Sequence, residues 1–160
     1  MLRYLVVEDD EMSREMLCGF LSRFAQCDSA DNGKSGLDLF NLALSDGNPY
    51  DHLFIDLVMP VMNGLALVRK IREFEKTDPI FKGSRTKISV LTSSTCLWDK
   101  ADLVLDNLCD DYIVKPFNKS ELAAKLNLQS KGKRHAVTES GSQLQSAAPP
   151  LEDESESNCA

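Results

Sequence analysis

The sequence predicts an α/β fold, a doubly wound sheet of five parallel strands with helices on both faces. Three observations lead to it. Five short runs of strand length recur along the first 128 residues. Most of these runs are continuously apolar rather than alternating, which is typical of parallel strands buried on both faces. A segment with apolar residues at helical spacing follows each run, so right-handed helical crossovers should join consecutive strands.

Strands and helices are predicted to alternate from the start of the chain. The strands are residues 4–7, 27–30, 53–55, 88–91 and 112–114, and the second is the weakest because it is the most polar. The first helix covers residues 12–24. The other four helices are marked by Leu37, Phe40 and Leu44, by Leu67, Val68, Ile71 and Phe74, by Ala101, Val104, Leu105 and Leu108, and by Leu122, Ala123 and Leu126. Residues 76–86 are predicted to form a polar loop.

Composition indicates one globular domain with an appendage. The chain has 160 residues, of which 42% are hydrophobic and 27% charged, enough for a single core. We expect the domain to span residues 1–128. Residues 129–160 are rich in Ser, Gln, Pro and acids and contain no aromatic residue, so we expect a disordered polar and acidic tail. The net charge of 18 − 25 = −7 argues against binding to nucleic acid or to an anionic membrane.

The sequence also favours a cytoplasmic location. Its five cysteines form no CxxC pair, and with two histidines they give no zinc-ligand spacing. Reduced cysteines that act as small apolar residues are the simplest interpretation. The first residues do not have the pattern of a signal peptide, and no apolar run approaches the ~18 residues of a membrane span.

The residues that end the strands carry the chemistry. The first strand ends in Glu8-Asp9-Asp10-Glu11 and the third in Asp56. The fourth ends in Thr92-Ser93-Ser94 and the fifth in Lys115-Pro116. Parallel sheets bind ligands beyond the carboxyl ends of their strands, so these residues should share one site. Carboxylates crowded there call for a divalent cation, and oxygen ligands suit Mg²⁺. A lysine and a hydroxyl beside them suit a phosphoryl group, which a carboxylate can accept covalently.

Each of these residues also has an ordinary structural interpretation. The acids after the first strand can simply cap the first helix, and Asp10 is the best candidate for that role. An acid such as Asp56 before a loop is usually solvated, and a threonine at a strand end usually reflects strand propensity. These interpretations weaken when taken together, because four separate strand ends carry complementary chemistry.

Four segments resemble the receiver domains of two-component response regulators, including the single-domain chemotaxis type. They are Leu5-Val6-Val7-Glu8-Asp9-Asp10, Asp56-Leu57-Val58-Met59-Pro60-Val61-Met62-Asn63-Gly64, Val90-Leu91-Thr92-Ser93 and Asp110-Asp111-Tyr112-Ile113-Val114-Lys115-Pro116-Phe117. The resemblance covers about residues 2–128 and implies a flavodoxin-like (βα)5 receiver fold. Leu108 departs from it, because receivers usually have glycine there. Residues 77–86 also form a longer loop than in compact members.

The resemblance implies a role for each residue at the strand ends. Asp56 would be the phosphoacceptor, and Lys115 would pair with the phosphoryl group. Mg²⁺ would be held by Asp9, Asp56, the backbone carbonyl of Val58 and, through water, Glu8. Thr92 would bind a phosphoryl oxygen and move on activation. Tyr112 would report that movement through its rotamer, although simple burial in the strand is an alternative interpretation for it.

The expected function is a phosphorylation switch rather than an enzyme. The phosphoryl group would come from a histidine kinase or a histidine phosphotransfer protein. A partner protein would bind the face made by the fourth helix, the fifth strand and the fifth helix, and a phosphorylation-dependent dimer is a second form of output. We expect neither direct nucleic-acid binding nor membrane binding.

Three alternatives remain. A phosphatase of the haloacid dehalogenase type would need a second acid two residues after Asp56, where the chain has Val58. A constitutive interaction module without phosphorylation is the second alternative. The third is a receiver detached from a larger hybrid kinase.

Overall fold

The computed structural model describes residues 1–81, 85–93 and 107–126. The strands are β1 (Arg3–Val7), β2 (Gln26–Ala30), β3 (His52–Asp56), β4 (Lys87–Ser93) and β5 (Asp111–Lys115). The helices are α1 (Glu11–Leu21), α2 (Gly33–Ser45), α3 (Gly64–Thr77), a short 3-10 helix (Pro79–Phe81) and a last described helix (Lys119–Lys125). Most of the predicted fourth helix and the predicted tail lie outside the described residues. No helix in the described ranges is long and apolar enough to cross a membrane.

The five strands form one parallel sheet in the order β2-β1-β3-β4-β5. All five residues of the central strand β3 are buried, as expected for a strand covered on both faces. The register pairs Val7 with Ile55, Asp56 with Leu91, and Ser93 with Lys115. The predicted strand ends therefore lie side by side along one edge, and the predicted fold class is confirmed.

Two apolar clusters hold the helices on the sheet. One covers the face on which α2 and α3 pack, with Leu5, Ile55 and Val90 from the sheet and Phe40 and Leu67 from the helices. The other covers the face of α1 and the last helix, and its central members are Val6, Leu17, Phe54, Leu91 and Leu122. Because neighbouring residues of a strand point to opposite faces, Ile55 and Phe54 serve different clusters.

Every α-helix described begins at an Asp or Asn whose side chain accepts a hydrogen bond from a backbone N–H of the first turn. These caps are Asp10, Asn32, Asn63 and Asn118. Asp10 Oδ1 lies 2.8 Å from Ser13 N, which confirms the capping role expected of Asp10. Capping thus accounts for one acid of the run after β1, and it does not explain Glu8 and Asp9.

The segment predicted to be a polar loop contains an anchored apolar residue. Helix α3 runs on to Thr77, and the 3-10 helix that follows carries Phe81, which is only 9% exposed. The ring of Phe81 stacks on that of Phe40, with centroids 6.3 Å apart. The loop prediction was therefore wrong for this part, because a three-residue turn is too short to produce a periodic pattern.

Arg72 ties α3 to the segment before β5. It is 5% exposed, and its guanidinium donates to Leu108 O at 2.8 Å, to Thr86 O at 2.9 Å and to Asp110 Oδ2 at 3.0 Å. Asn107 beside it has a positive φ of 51°, a conformation that asparagine tolerates better than most residues. The backbone conformation that favours glycine or asparagine is therefore found at Asn107, next to Leu108.

Candidate functional site

Three carboxylates meet at the carboxyl edge of the sheet. One oxygen from each of Glu8, Asp9 and Asp56 lies within 4.8 Å of the others. Glu8 is held in place by a hydrogen bond from its backbone N–H to Ala30 O at 3.0 Å, which continues the β1–β2 pairing. Asp56 is the last residue of β3, and the next backbone N–H, of Leu57, donates to Leu91 O. The backbone of the sheet itself therefore brings the acids together.

Lys115 lies between two of these carboxylates. Its Nζ donates to Glu8 Oε1 at 2.9 Å, to Glu8 Oε2 at 2.7 Å and to Asp56 Oδ2 at 2.7 Å. The Lys115 side chain keeps 24% of its surface exposed, while Glu8 is fully buried. The ammonium can thus reach the end of β3 from β5, across β4.

Burial and charge compete in this cluster. Burial is the largest influence on Glu8 and raises its pKa, and the nearby Asp56 charge acts in the same direction. The hydrogen bond from Lys115 opposes this effect without outweighing it. Burial also disfavours the charged form of Lys115, but its hydrogen bonds to Asp56 and Glu8 prevail and raise the pKa of Lys115. Lys115 therefore stays positively charged.

The loop after β3 has a shape that its sequence requires. Asp56 Oδ1 accepts a hydrogen bond from Val58 N at 3.3 Å. A Cβ at Gly64 would lie 2.0 Å from Asp56 O, so only glycine fits against that carbonyl. Asn63 caps α3 by accepting a hydrogen bond from Ala66 N at 2.8 Å. The Asn63-Gly64 pair thus closes the loop tightly over Asp56.

Val61 in the same loop is strained. It has a positive φ of 67°, a region that β-branched residues rarely enter. Its side chain is 85% exposed, and that of Val58 is 60% exposed. Two apolar side chains therefore stand on the surface beside Asp56.

Thr92 and Tyr112 lie on adjacent strands on the same side of the sheet. Thr92 pairs with Val114 and Val90 with Tyr112, so Tyr112 is diagonal to Thr92. Thr92 is buried, and its hydroxyl donates to Ser93 O at 3.0 Å. Tyr112 is 45% exposed, so the alternative of simple burial does not apply to it.

The acidic cluster fits a divalent cation. Three carboxylates and one ammonium leave a charge of −2 in a small volume, which Mg²⁺ would neutralise. All the side-chain ligands would be oxygens, the donor type Mg²⁺ prefers, and Asp9 is exposed to solvent that can complete the coordination. The acidic pocket that the resemblance implies for Mg²⁺ is therefore formed by Glu8, Asp9 and Asp56.

Sequence reasoning overlooked Arg14. Its Nη1 donates to Glu8 O at 2.8 Å and to Asp9 O at 3.2 Å, and so braces the backbone that carries both acids. A single arginine on a polar helix face gives no sequence signal, because most such residues are solvated.

The peptide bond that follows the site lysine, Lys115-Pro116, is cis.

Comparisons with known proteins agree on the family. The model of the response regulator receiver domain matches residues 4–127. The response regulator ArlR of Staphylococcus epidermidis is 36% identical over 127 residues, which is 79% of this chain and 51% of ArlR. The chain spans about half the length of the curated relatives it matches.

Solved structures are also similar to this chain. The receiver domain of Ssk1 from Saccharomyces cerevisiae, in complex with the histidine phosphotransfer protein Ypd1, has a TM-score of 0.66 and 29% identity, over 79% of this chain and 86% of that chain. The receiver domain of the histidine kinase CKI1 from Arabidopsis thaliana, with Mg²⁺ and BeF3⁻, has a TM-score of 0.64 and 28% identity, over 79% and 87% of the two chains.

Proposed function

This chain belongs to the family of response regulator receiver domains, and on that premise we propose that it is a two-component phosphorylation switch with Asp56 as the phosphoacceptor. The observation that carries the proposal is the convergence of Glu8, Asp9, Asp56 and Lys115 at the carboxyl edge of the sheet. Asp56 ends the central strand and is in contact with the only ammonium of this group.

The chemistry follows from the positions of these groups. A carboxylate oxygen of Asp56 attacks the phosphorus of a phosphohistidine. The new O–P bond forms while the P–N bond breaks, and the imidazole that leaves takes up a proton. Lys115 already lies 2.7 Å from Asp56 Oδ2 and can pair with the incoming phosphoryl oxygens. Positioning and neutralisation of charge are the main contributions a protein makes to phosphoryl transfer.

Glu8, Asp9, Asp56 and the backbone carbonyl of Val58 would hold Mg²⁺, with Glu8 acting through water. Bound there, the ion would supply positive charge to the phosphoryl oxygens. The Lys115 ammonium on Glu8 and Asp56 supports a water-mediated role for Glu8, because the buried Glu8 oxygens are already engaged.

Acetyl phosphate and intact-protein mass spectrometry test this proposal. We expect one phosphoryl adduct in the presence of Mg²⁺ and none in its absence or in Asp56→Asn. Asp51→Asn is the matched control, because Asp51 is an exposed acid just before the other end of β3. An adduct of full strength on Asp56→Asn would show that another residue accepts the group.

We further propose that Thr92 and Tyr112 transmit the switch. Phosphorylation replaces the −1 charge of the Asp56 carboxylate by a phosphoryl group of about −1.5 to −2 charges, which gives the Thr92 hydroxyl an acceptor better than Ser93 O. Movement of Thr92 changes the space beside its diagonal neighbour Tyr112. The face expected from the predicted fourth helix, β5 and the last described helix would then bind a partner protein more tightly, by the ~5–150-fold that is typical of two-site coupling.

Backbone amide shifts with beryllofluoride measure this transmission without a partner. In the wild type, we expect shifts at Asp56 to extend to Tyr112 and Val114. In Thr92→Ala they should stop at β4, while the control Ser93→Ala should behave as the wild type. Equal propagation in Thr92→Ala would contradict the role of Thr92.

The wider context of the switch is also a proposal. Receiver domains interact with histidine kinases or phosphotransfer proteins, and a donor of that kind is proposed here. We propose that residues 1–128 form the receiver domain, which is cytoplasmic, and that residues 129–160 form a polar tail. We also propose that the chain is not a classical enzyme but a phosphoacceptor that assists its own phosphorylation and dephosphorylation. A phosphorylation-dependent dimer is a second form of output.

The similarity to response regulators favours this function over its alternatives. The Lys115 contacts with Glu8 and Asp56 form a complete charged site, which disfavours a constitutive module. Val58 stands where a phosphatase of the haloacid dehalogenase type needs an acid.

A further inference from the structure

Two thiols meet at the edge of the sheet opposite to Lys115. Cys18 lies on α1 and Cys27 on β2, the edge strand opposite to β5. Each thiol shifts the pKa of the other, an effect that requires the two groups to lie close together. Both are partly buried against the apolar cluster on the α1 face, whereas Cys109 packs against the cluster on the other face. Of the three cysteines in the described part of the chain, these two therefore form a pair.

The periodicity of the two elements explains the pairing. Arg14 and Cys18 are one turn apart on α1 and so lie on the same side of the helix. Cys27 and Ser29 alternate along β2 and so point to the same face of the sheet. Their register partners, Tyr4 and Val6, belong to the cluster on the α1 face. A cation, two thiols and a hydroxyl therefore converge between α1 and β2.

These neighbours lower the pKa of one thiol and raise the pKa of the other. The hydrogen bond from Cys27 is the largest influence on Cys18 and, with the Ser29 hydroxyl and the Arg14 charge, lowers the pKa of Cys18 to about 7 against the opposing effect of burial. The same hydrogen bond, together with burial, raises the pKa of Cys27. The pair then consists of a nucleophilic thiolate and a neutral thiol beside it.

Small molecules can approach the pair. An open cleft of about 550 Å³ lies between α1 and α2 at the end of β2. Arg14 and Ser29, which both interact with Cys18, line it together with Leu39 and Leu42 of α2. Neither cysteine lines the cleft itself, but both are only partly buried, which leaves them open to small molecules.

We propose that Cys18 and Cys27 form a reversible oxidation site in which a hydroperoxide oxidises Cys18 and Cys27 closes a disulfide. Cys18 Sγ attacks one peroxide oxygen, so an S–O bond forms, the O–O bond breaks and the alcohol or water leaves. Cys27 Sγ then attacks the sulfenic acid, an S–S bond forms, and the hydroxyl leaves as water with the proton of Cys27. Two thiols lose two electrons, which reduce one hydroperoxide. This modification is distinct from the proposed phosphorylation and does not depend on it.

Trypsin provides a direct test on the full chain. It cuts after Arg14, Arg23 and Lys34, so Cys18 and Cys27 fall in separate peptides, residues 15–23 and 24–34. After treatment with hydrogen peroxide and blocking of free thiols, we expect these two peptides to be linked and the link to disappear with a reductant. Peroxide-treated protein in which both peptides carry only the blocking group would overturn the proposal, as would preferential oxidation of Cys109.

Single variants separate the two steps. Cys27→Ser should leave a sulfenic acid on Cys18 that dimedone traps, while Cys18→Ser should give neither trapping on Cys27 nor a disulfide. Cys109→Ser is the matched control and should form the linked peptides as the wild type does. Trapping on Cys27 in Cys18→Ser would reverse the assigned roles and contradict the proposal.

The alkylation rate supplies a test that needs no variant. At pH 7, half of a thiol with a pKa of 7 is thiolate against about 1% for a pKa of 9, a roughly 50-fold difference. The lower nucleophilicity of the more acidic thiolate reduces this by about eightfold. Iodoacetamide should therefore modify Cys18 at least about six times faster than Cys109, whose pKa is raised by burial. Equal rates would overturn the assignment of Cys18 as the reactive thiol.

Discussion

Replacement of Asp9 by asparagine should stabilise the Mg²⁺-free protein and weaken the stabilisation that Mg²⁺ provides. Asp9 is exposed and makes no hydrogen bond to Lys115, which contacts Glu8 and Asp56 instead. Without the ion, the Asp9 carboxylate therefore adds mainly repulsion. Two carboxylates 4.8 Å apart repel by about 1 kcal/mol in a water-like dielectric, and Lys115 offsets one of the two neighbours. Asp9→Asn should thus stabilise the Mg²⁺-free protein by about 1 kcal/mol, or about 4 °C in Tm.

Added Mg²⁺ should then favour the wild type. At ten times its Kd, a ligand that binds only the folded state stabilises it by about 1.4 kcal/mol. Asp9→Asn lacks one carboxylate ligand and should gain much less, so the two stability curves should cross at a few times the Kd of the wild type. Thermal unfolding followed by circular dichroism, with EDTA and across a Mg²⁺ titration, measures both effects.

Asp10→Asn is the control for this experiment. Asp10 caps α1 through Ser13 N, and asparagine is an equally good cap. Its response to Mg²⁺ should match that of the wild type. Parallel Mg²⁺ curves for wild type and Asp9→Asn, or a loss of stability of Asp9→Asn in EDTA, would refute the reasoning.

Three further changes test burial and backbone strain in the domain. Burial lowers the pKa of His52 to about 3. Below the unfolded pKa of ~6.5, the unfolded state therefore binds a proton that the folded state does not. The free energy of unfolding then falls by up to ~1.4 kcal/mol for each pH unit below that value. His52→Gln, which can keep the bond to Ser89, should flatten the slope of urea stability against pH between 6.5 and 4.5, and an unchanged slope would contradict this. Val61→Asn should raise the stability by about 1 kcal/mol because asparagine tolerates the positive φ, whereas a lower urea midpoint would argue against strain. Arg72→Met should cost about 3–5 kcal/mol by leaving buried partners without their cation, while the exposed control Lys70→Met should have little effect in the same denaturation assay.

The sequence predicted the sheet because its strands are buried on both faces. The runs around Val6 and Phe54 are apolar at every position, and the run around Leu91 is interrupted only by Ser89. Such runs place the residues after them at one edge. The proximity of Glu8, Asp56 and Lys115 follows from topology alone. The boundary error in the first helix has a local cause. The helix was predicted to reach Phe24, but α1 ends at Leu21. Phe24 lies in the following turn and still packs on the same apolar cluster, so it continues the helical pattern of apolar residues.

Other features depend on contacts that no spacing encodes. Arg72 looks like a surface residue in the sequence. Its burial is favourable because it bonds to the carbonyl groups of Thr86 and Leu108 and to the carboxylates of Glu75 and Asp110. The pairing of Cys18 with Cys27 depends on how α1 lies over β2, which a sequence pattern does not determine. Similarly, the pattern of β5 predicted a strand but not that Tyr112 would be exposed on it.

Borohydride reduction tests the central claim most directly. It converts an aspartyl phosphate into homoserine, and so it marks the phosphorylated residue permanently. After phosphorylation with acetyl phosphate and Mg²⁺, fragmentation of the tryptic peptide of residues 35–69 should place homoserine at Asp56 and leave Asp38, Asp46 and Asp51 unchanged. Homoserine at another position, or a stable phosphate on Thr92 with none on Asp56, would contradict the account.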